Sequence, residues 1–244
     1  MDADHIYYRE LNAAIAGLVA DGVRDITLRR VNGQRYLGNG LTSPDLRLRI
    51  EGVPGQDLGM FLGGAAIEVY GNAQDGVGNT MEAGHIHVHG SAGDVVGYGM
   101  RGGEVFIRGD VGYRVGIHMK QYQSRVPTII IGGKARDFFG EYMAGGRMIL
   151  LDVASQLSGD ALGMYVGTGM HGGEIYARCP VNPAQCGREV GLTPATDDQM
   201  AELTPLISRF CTVFGLDADR ALAGQFTRIA PVSSRPYGNL YVNL

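Results

Sequence analysis

The sequence predicts a mainly β protein: a single-stranded right-handed parallel β-helix with an N-terminal capping helix, a C-terminal helix and an extended tail. Three observations predict this solenoid of about eight coils. Short apolar segments recur at a basic interval of 19 residues, two glycine positions recur within each period, and apolar and polar residues alternate along each segment. A short segment of this kind cannot bury its apolar face alone, but stacked copies bury it together.

The composition is that of a globular protein, with 45% hydrophobic and 19% charged residues among 244. The net charge of -4 and the lack of basic runs argue against nucleic acid or an anionic membrane as partners. No stretch reaches the roughly 20 apolar residues that span a bilayer. The N-terminal residues have no features of a secretory signal, so we expect a cytoplasmic location. Cys179, Cys186 and Cys211 match no common metal-site spacing and are expected to be reduced thiols.

Residues 1–22 are predicted to form a capping helix. The stretch from Tyr8 to Ala20 places Leu11, Ile15, Leu18 and Val19 at helical spacing, and Gly22 follows it. Such a helix would cover the open end of the solenoid, which is otherwise a bare strand edge.

Residues 23–180 are predicted to form the β-helix. The position before each apolar segment is Thr27, Leu46, Ala65, Gly84, Gly103, Pro127, Gly146 and Gly173. Two residues further on, the side chains predicted to stack inside the solenoid are Leu48, Ile67, Ile86, Val105, Ile129, Met148 and Ile175. A second glycine corner is predicted at Gly40, Gly59, Gly78, Gly97, Gly116, Gly140 and Gly159. Two distinct glycine corners argue against a left-handed helix of hexapeptide repeats, and the first coil is irregular because Arg29 occupies an apolar position.

Residues 181–244 are predicted to form a helical segment followed by an extended arm. Thr196 and Gln199 form a candidate capping box before an amphipathic helix, which Pro205 is expected to kink or split. The stretch from Gln225 to Leu244 is expected to run extended across a neighbouring surface.

Two coils are longer than the others, by five and eight residues. The spacing predicts that both insertions follow the second corner and emerge along one edge, a common place for binding in solenoids. We expect this edge and the tail to contact partner subunits, because they carry the aromatic, methionine and arginine content that is typical of interfaces. The predicted interface residues are His118, Lys120, Tyr122, Arg125, Met164, Tyr165, Met170, His171, Arg235 and Tyr237.

The sequence contains two candidate chemical sites, a histidine strip and a pair of glycine-rich segments. His85, His87 and His89 alternate on one strand, so a metal could bind to their shared face, with Glu68 or Glu104 of adjacent coils as a carboxylate ligand. A histidine strip facing solvent or a partner is the favoured interpretation. Two segments match the G-x-G-x-x-G pattern, but each precedes a strand instead of a helix, so we interpret them as corners and not as nucleotide sites. No residues assemble into a catalytic nucleophile with its base.

Several long motifs resemble a known family. GDVGYRVGIHMKQY (109–122), IIIGGKARDFFGEYMAGG (129–146), GMYVGTGMHGGEIYARC (163–179) and SRPYGNLY (234–241) are similar to the GXGXG β-helix domain at the C-terminal end of glutamate synthase large subunits. The chain looks most like the stand-alone version of this domain. In that family the domain is structural and packs between a class II glutamine amidotransferase and an FMN and iron-sulfur barrel.

The resemblance implies a non-catalytic subunit of a hetero-oligomer, with no cofactor in this chain and with FMN and an iron-sulfur cluster in a partner subunit. The product would be glutamate, or N-methylglutamate in a closely similar complex. Related β-helices occur in formylmethanofuran dehydrogenase and the formyltransferase/hydrolase complex. The alternatives are a β-helix subunit of a formyl-transfer complex, a carrier or assembly protein of one-carbon metabolism, and a stand-alone metal-dependent enzyme that uses the histidine strip.

Overall fold

The predicted parallel β-solenoid is confirmed in the structure, a computed structural model that describes residues 1–153 and 160–235. It has about seven turns. Eight parallel strands stack in chain order: β1 (Asp25–Asn32), β2 (Arg47–Val53), β3 (Gly63–Tyr70), β4 (Ala83–Val88), β5 (Glu104–Ile107), β6 (Thr128–Ile131), β7 (Ala144–Leu150) and β8 (Gly172–Ala177). Register pairing runs without interruption from Leu48 through Ile67, Ile86, Val105, Ile129 and Met148 to Ile175. All seven of these side chains are buried, as predicted.

The capping helix α1 spans Tyr8–Ala20, the predicted stretch. Its buried residues Leu11 and Ile15 pack against the solenoid core. The helix therefore covers the end of the ladder of inward side chains.

The first coil has a different register from the one predicted. Ile26 pairs with Leu48, and Leu28 pairs with Ile50. Ile26 and Leu28 are therefore the inward side chains of the first coil, and Arg29 is not. An irregularity between Leu28 and Val31, where Arg30 has a φ of 57°, restores the pairing further along the strand. This local bulge adds one residue to the first coil, and a fixed count of 19 residues does not reveal it.

The last coil also departs from the prediction. Gly159, the predicted corner, lies outside the described residues. Gly167 occupies the second corner instead, because its amide donates a hydrogen bond to the carbonyl oxygen of Phe139. The amide of Gly140 donates to the carbonyl oxygen of Val115 in the same way one coil earlier. The bridges Val111–Ala135 and Ala135–Leu162 place the eight-residue insertion before this corner, between Val153 and Ala161. The two insertions therefore do not share an edge, and the prediction of a common insertion edge is wrong.

The C-terminal segment contributes to the same sheet. A 3₁₀ helix (Pro183–Gln185) precedes β9 (Val190–Pro194), and α2 (Asp197–Phe214), α3 (Ala218–Leu222) and β10 (Thr227–Pro231) follow. The capping box of Thr196 and Gln199 is present, but α2 continues through the exposed Pro205 without being split. β10 pairs antiparallel with β8 and β9, so this part of the predicted arm completes the chain's own sheet. The rest of the predicted arm, from residue 236 to residue 244, lies outside the described residues.

Candidate functional site

The histidine strip lies beneath the C-terminal end of α2 and is not an open face. His87 is 8% exposed, its ring stacks on Phe106 at 5.1 Å, and Phe214 of α2 meets it edge-on at 6.4 Å. Glu68 is the register partner of His87 on β3, as predicted, with 3.7 Å between Oε1 and Nδ1. Burial and the neighbouring His85 together lower the pKa of His87 to about 4, against the opposing effect of Glu68. The imidazole is therefore neutral near pH 7.

The geometry gives no support to a metal at this strip. Within residues 1–153 and 160–235, no three His, Cys, Asp or Glu side chains converge so as to hold an ion. His89 instead stacks on Tyr70 at 4.4 Å and meets Phe214 at 5.0 Å. The three histidines thus pack as aromatic side chains.

The cysteines have no features of nucleophiles. In the part of the chain that the structure describes, Cys179, Cys186 and Cys211 are free thiols, and Cys179 and Cys211 are buried. Burial raises the pKa of Cys179 to about 11, so the thiolate is not populated at neutral pH.

The G-x-G-x-x-G segments form corners of the solenoid. Gly97 and Gly99 have φ values of 69° and 58°, and a Cβ at Gly97 would overlap Ile129 on the inner ladder. A Cβ at Gly99 would meet only Thr80 Oγ1, at 3.9 Å. Gly97 is needed because a side chain there would occupy the space of Ile129. Gly99 is favoured because glycine adopts the left-handed backbone of the outer corner without strain.

The sequence analysis missed an apolar surface on the outer face of the sheet. The outward side chains of β5 to β8 are Phe106, Ile130, Ile149 and Tyr176, and all are buried under α2. From α2 they are covered by Leu203, Ile207, Phe210 and Phe214. Ion pairs of Arg209 with Glu104 and of Arg147 with Glu202 flank this contact. The strands TIII (128–131) and EVFI (104–107) are apolar on both faces, and this pattern indicates burial on both sides.

The predicted interface residues fall into four groups: those at the five-residue insertion, one in the core, those near the second corner and those in the tail. Tyr122 and Arg125 belong to the exposed five-residue insertion. Lys120 is also exposed and directly precedes the insertion, in the position that Arg101 has one coil earlier. Tyr122 and Arg125 exchange backbone hydrogen bonds, and the Arg125 guanidinium lies 5.1 Å from the Tyr122 ring centroid. Met170 is fully buried in the core, so its prediction as an interface residue is wrong.

Four of the remaining interface candidates lie at or near the outer side of the second corner. The other two belong to the tail. His171 is exposed, with Nδ1 3.1 Å from the carbonyl oxygen of Gly169, and Met164 is exposed next to Tyr165. Arg235 is exposed at the end of the described chain, and Tyr237 lies outside the described residues.

The aromatic corner, defined as Tyr98, His118, Phe138, Tyr142 and Tyr165, is the main feature of this surface. His118 stacks on Tyr142 at 5.3 Å and meets Tyr98 edge-on at 6.0 Å, and Phe138 stacks on Tyr165 at 4.9 Å. Tyr142 and Tyr165 nevertheless remain 40% and 52% exposed. His118 and Tyr165 thus belong to two separate ring stacks of the second corner, and neither residue belongs to an insertion.

An ion pair with one buried partner supports the aromatic corner. Arg114 pairs with Glu141, which is buried, and its guanidinium lies 4.4 Å from the centroid of Phe138. His118, Phe138, Tyr142 and Tyr165 all have positive φ values, which fix the direction of their side chains. The corner is consequently a preorganised aromatic surface.

Comparisons with known proteins identify the family and the fold. A family model described as the GXGXG motif matches residues 24–232. The uncharacterized protein MJ1350 of Methanocaldococcus jannaschii is 46% identical over 248 residues, which cover 99% of this chain and 95% of the relative. A chain in the X-ray crystal structure of the formyltransferase/hydrolase complex from Methylorubrum extorquens, in complex with methylofuran, is similar with a TM-score of 0.63. That likeness, at 21% identity over 93% of this chain and 89% of the other, shows the fold alone. No helix in the described ranges is long and apolar enough to cross a membrane.

Proposed function

This chain belongs to the GXGXG motif family, and from that premise we propose that it is a non-catalytic subunit that holds the catalytic subunits of a larger enzyme in register. The observation that carries this proposal is the exposed aromatic corner. Aromatic side chains are enriched at protein interfaces because they bury a large area at a small cost in conformational entropy. Ring stacking and the pairing of Arg114 with the buried Glu141 already order this surface in the chain alone, which reduces the entropic cost of docking.

The proposed enzyme is a glutamate synthase-like complex. Its partners are a class II glutamine amidotransferase-like subunit, which releases ammonia, and an FMN synthase-like subunit, which consumes it to form glutamate or N-methylglutamate. The motifs shared with the glutamate synthase β-helix support these partners. The contribution of this chain is to position the two sites and exclude water, so that ammonia passes between them without loss to solvent.

A second candidate is a subunit of a formyl-transfer complex. The solved chain that shares this fold is part of the formyltransferase/hydrolase complex. The aromatic corner would then contact the subunits of that kind of enzyme. The two candidates differ in the partner subunits and substrates that the chain supports.

Coexpression with the two glutamate synthase-like partners of the same genome tests the first proposal. The variant Tyr142→Asn/Tyr165→Asn removes two exposed rings, and asparagine tolerates the left-handed backbone at both positions. We expect the variant to lose copurification with at least one partner in size-exclusion chromatography. Phe61→Asn is the matched control, because Phe61 is 49% exposed with a φ of 54° but lies four coils nearer the N-terminus than Tyr142. It should leave the complex intact.

Activity provides the second readout. In a mixture of the three subunits, the double variant should lose glutamine-dependent amination of the keto acid while the amination driven by added ammonia is retained. An intact and fully coupled complex with the double variant would contradict the proposed docking surface. Turnover of an amide or amine by the isolated chain would contradict its non-catalytic role.

A further inference from the structure

A cavity of about 460 Å³ lies between the first corner of the β4 and β5 coils and the turn that links α2 to α3. Its polar lining consists of Asn72, His89, Ser91, Arg108, Asp217 and Arg220. These residues come from three successive coils and from the C-terminal segment. The cavity therefore exists only because the C-terminal segment folds back onto the solenoid.

Two guanidinium groups in this lining have no carboxylate partner. Across residues 1–153 and 160–235, neither Arg108 nor Arg220 forms an ion pair. The nearby sheet surface is different, because Arg147 and Arg209 are each paired with a glutamate. Two unpaired guanidinium groups lining one cavity favour a negatively charged ligand, since arginine binds carboxylate and phosphate groups through paired N–H donors.

The backbone on both sides of the cavity is held in place. The buried Arg178 donates to the carbonyl oxygens of Leu151, Asp152 and Arg220, which ties the backbone of α3 to the end of the β7 strand. Arg108 follows β5, and its amide donates to the carbonyl of Val88 at 2.9 Å. The two arginines therefore start from elements whose separation is set by the fold.

Neutral donors complete the lining. Asn72 Oδ1 accepts a hydrogen bond from the Ser91 amide at 2.9 Å, so the amide NH₂ of Asn72 remains available as a donor. Ser91 Oγ accepts from the Asp110 amide at 3.1 Å and keeps its hydroxyl proton to donate. Asp217 is the single carboxylate, and its Oδ1 accepts from the Arg220 amide at 3.1 Å. Two guanidinium charges against one carboxylate leave the cavity electropositive.

We propose that this cavity binds a small ligand through an oxyanion group, as either a phosphate or a dicarboxylate. Arg108 and Arg220 bind the charged oxygens, and Asn72 and Ser91 donate to the remaining ones. The site is independent of which partner subunits the aromatic corner binds.

Isothermal titration of the full chain at constant ionic strength tests the site, with inorganic phosphate and succinate as separate probes. We expect saturable one-site binding of at least one probe, and its identity distinguishes a phosphate ligand from a dicarboxylate. R108Q and R220Q should each weaken binding by about tenfold or more, since each removes hydrogen bonds to a charged group. Both side chains are in exposed residues, so the variants should keep the wild-type far-UV circular dichroism.

R101Q is the matched control. Arg101 is exposed in the same coil as Arg108 but precedes β5 instead of following it, and it does not line the cavity. It should bind the probes with wild-type affinity. The proposal is overturned if neither probe saturates the wild-type chain up to about 10 mM, a concentration sufficient for millimolar binding. It is equally overturned if R101Q weakens binding as much as R108Q does.

Discussion

Two outer surfaces of this solenoid are rich in aromatic and apolar side chains, but the described part of the chain covers only one of them. On the strand face, Phe106 and Tyr176 are buried beneath α2. At the aromatic corner, Tyr142 and Tyr165 stack on neighbouring rings and are exposed. The repeat forms both surfaces in the same way, by placing one residue of each coil above the equivalent residue of the next.

The two surfaces differ in how much of the chain is used to cover them. Covering the strand face requires the 18 residues of α2, with an N-terminal capping box and four large apolar side chains aimed at the sheet. No element of residues 1–153 and 160–235 covers the exposed rings of the aromatic corner in this way. This contrast supports a structural role for the strand face and a docking role for the corner.

The largest expected effect is on the covered face. Phe210→Ala removes a fully buried ring that meets Phe106 at 5.6 Å and Phe214 at 4.8 Å. It should lower the free energy of unfolding by about 3–5 kcal/mol, measured by urea denaturation followed by circular dichroism. Phe61→Ala, at an exposed position, should change it by less than about 0.5 kcal/mol. Equal losses in the two variants would mean that α2 does not seal the strand face.

The inner and outer glycines of one corner provide a smaller contrast. Gly97→Ala and Gly99→Ala both place alanine at a positive φ, but only the former pushes a methyl group into Ile129. Gly97→Ala should therefore destabilise the chain by about 1–3 kcal/mol more than Gly99→Ala, in the same denaturation assay. Equal effects would contradict the assignment of these glycines to the inner and outer sides of the corner.

Acid should weaken the covered face through His87. Its pKa is about 4 in the folded chain and about 6.5 in the unfolded chain, so the unfolded state binds more protons between these values. Stability is consequently lost as the pH falls from 6.5 towards 4. His85, His89, Glu68 and Phe214 surround this ring.

His87→Phe removes this proton uptake while keeping an aromatic ring. The free energy lost by wild type between pH 7 and pH 4.5 should exceed that lost by the variant by roughly 2 kcal/mol. The contributions of carboxylates to the pH dependence of stability are common to both proteins and cancel in this comparison. An unchanged pH dependence would indicate that His87 is not held neutral by its burial.

The smallest effect is expected at the aromatic corner of the isolated chain. Tyr142→Asn keeps the left-handed backbone and removes an exposed ring, so the free energy of unfolding should change by less than about 0.5 kcal/mol. A loss above about 2 kcal/mol in urea denaturation would assign Tyr142 to the fold and not to docking.

Much of the fold follows from the sequence because the repeat has a direct structural cause. Side chains two residues apart share a strand face, and coils of equal length stack these side chains on one another. The same reasoning predicts α1 and the capping box of α2. It fails where coil length changes, at the bulge after Leu28 and at Gly159, because counting residues does not show where an insertion enters a coil. It also fails for α2 over the sheet, a contact between distant segments that only the apolar outer side of β5 to β8 indicates.

The candidate site was predictable only in part. Tyr165 and His118 could be identified as exposed aromatic residues, but Met170 could not be separated from them, since inward and outward side chains differ by one position in a tight corner. The stacking of Tyr142 on His118 depends on two residues 24 apart in the sequence, in coils of unequal length.

Hydroxyl-radical footprinting of the chain, alone and in its coexpressed complex, compares the two surfaces directly. The rings of Phe210 and Phe214 should be protected in both samples, whereas Tyr142 and Tyr165 should react in the isolated chain and become protected in the complex. Unchanged reactivity of Tyr142 and Tyr165 in an intact complex would contradict the docking role of the aromatic corner.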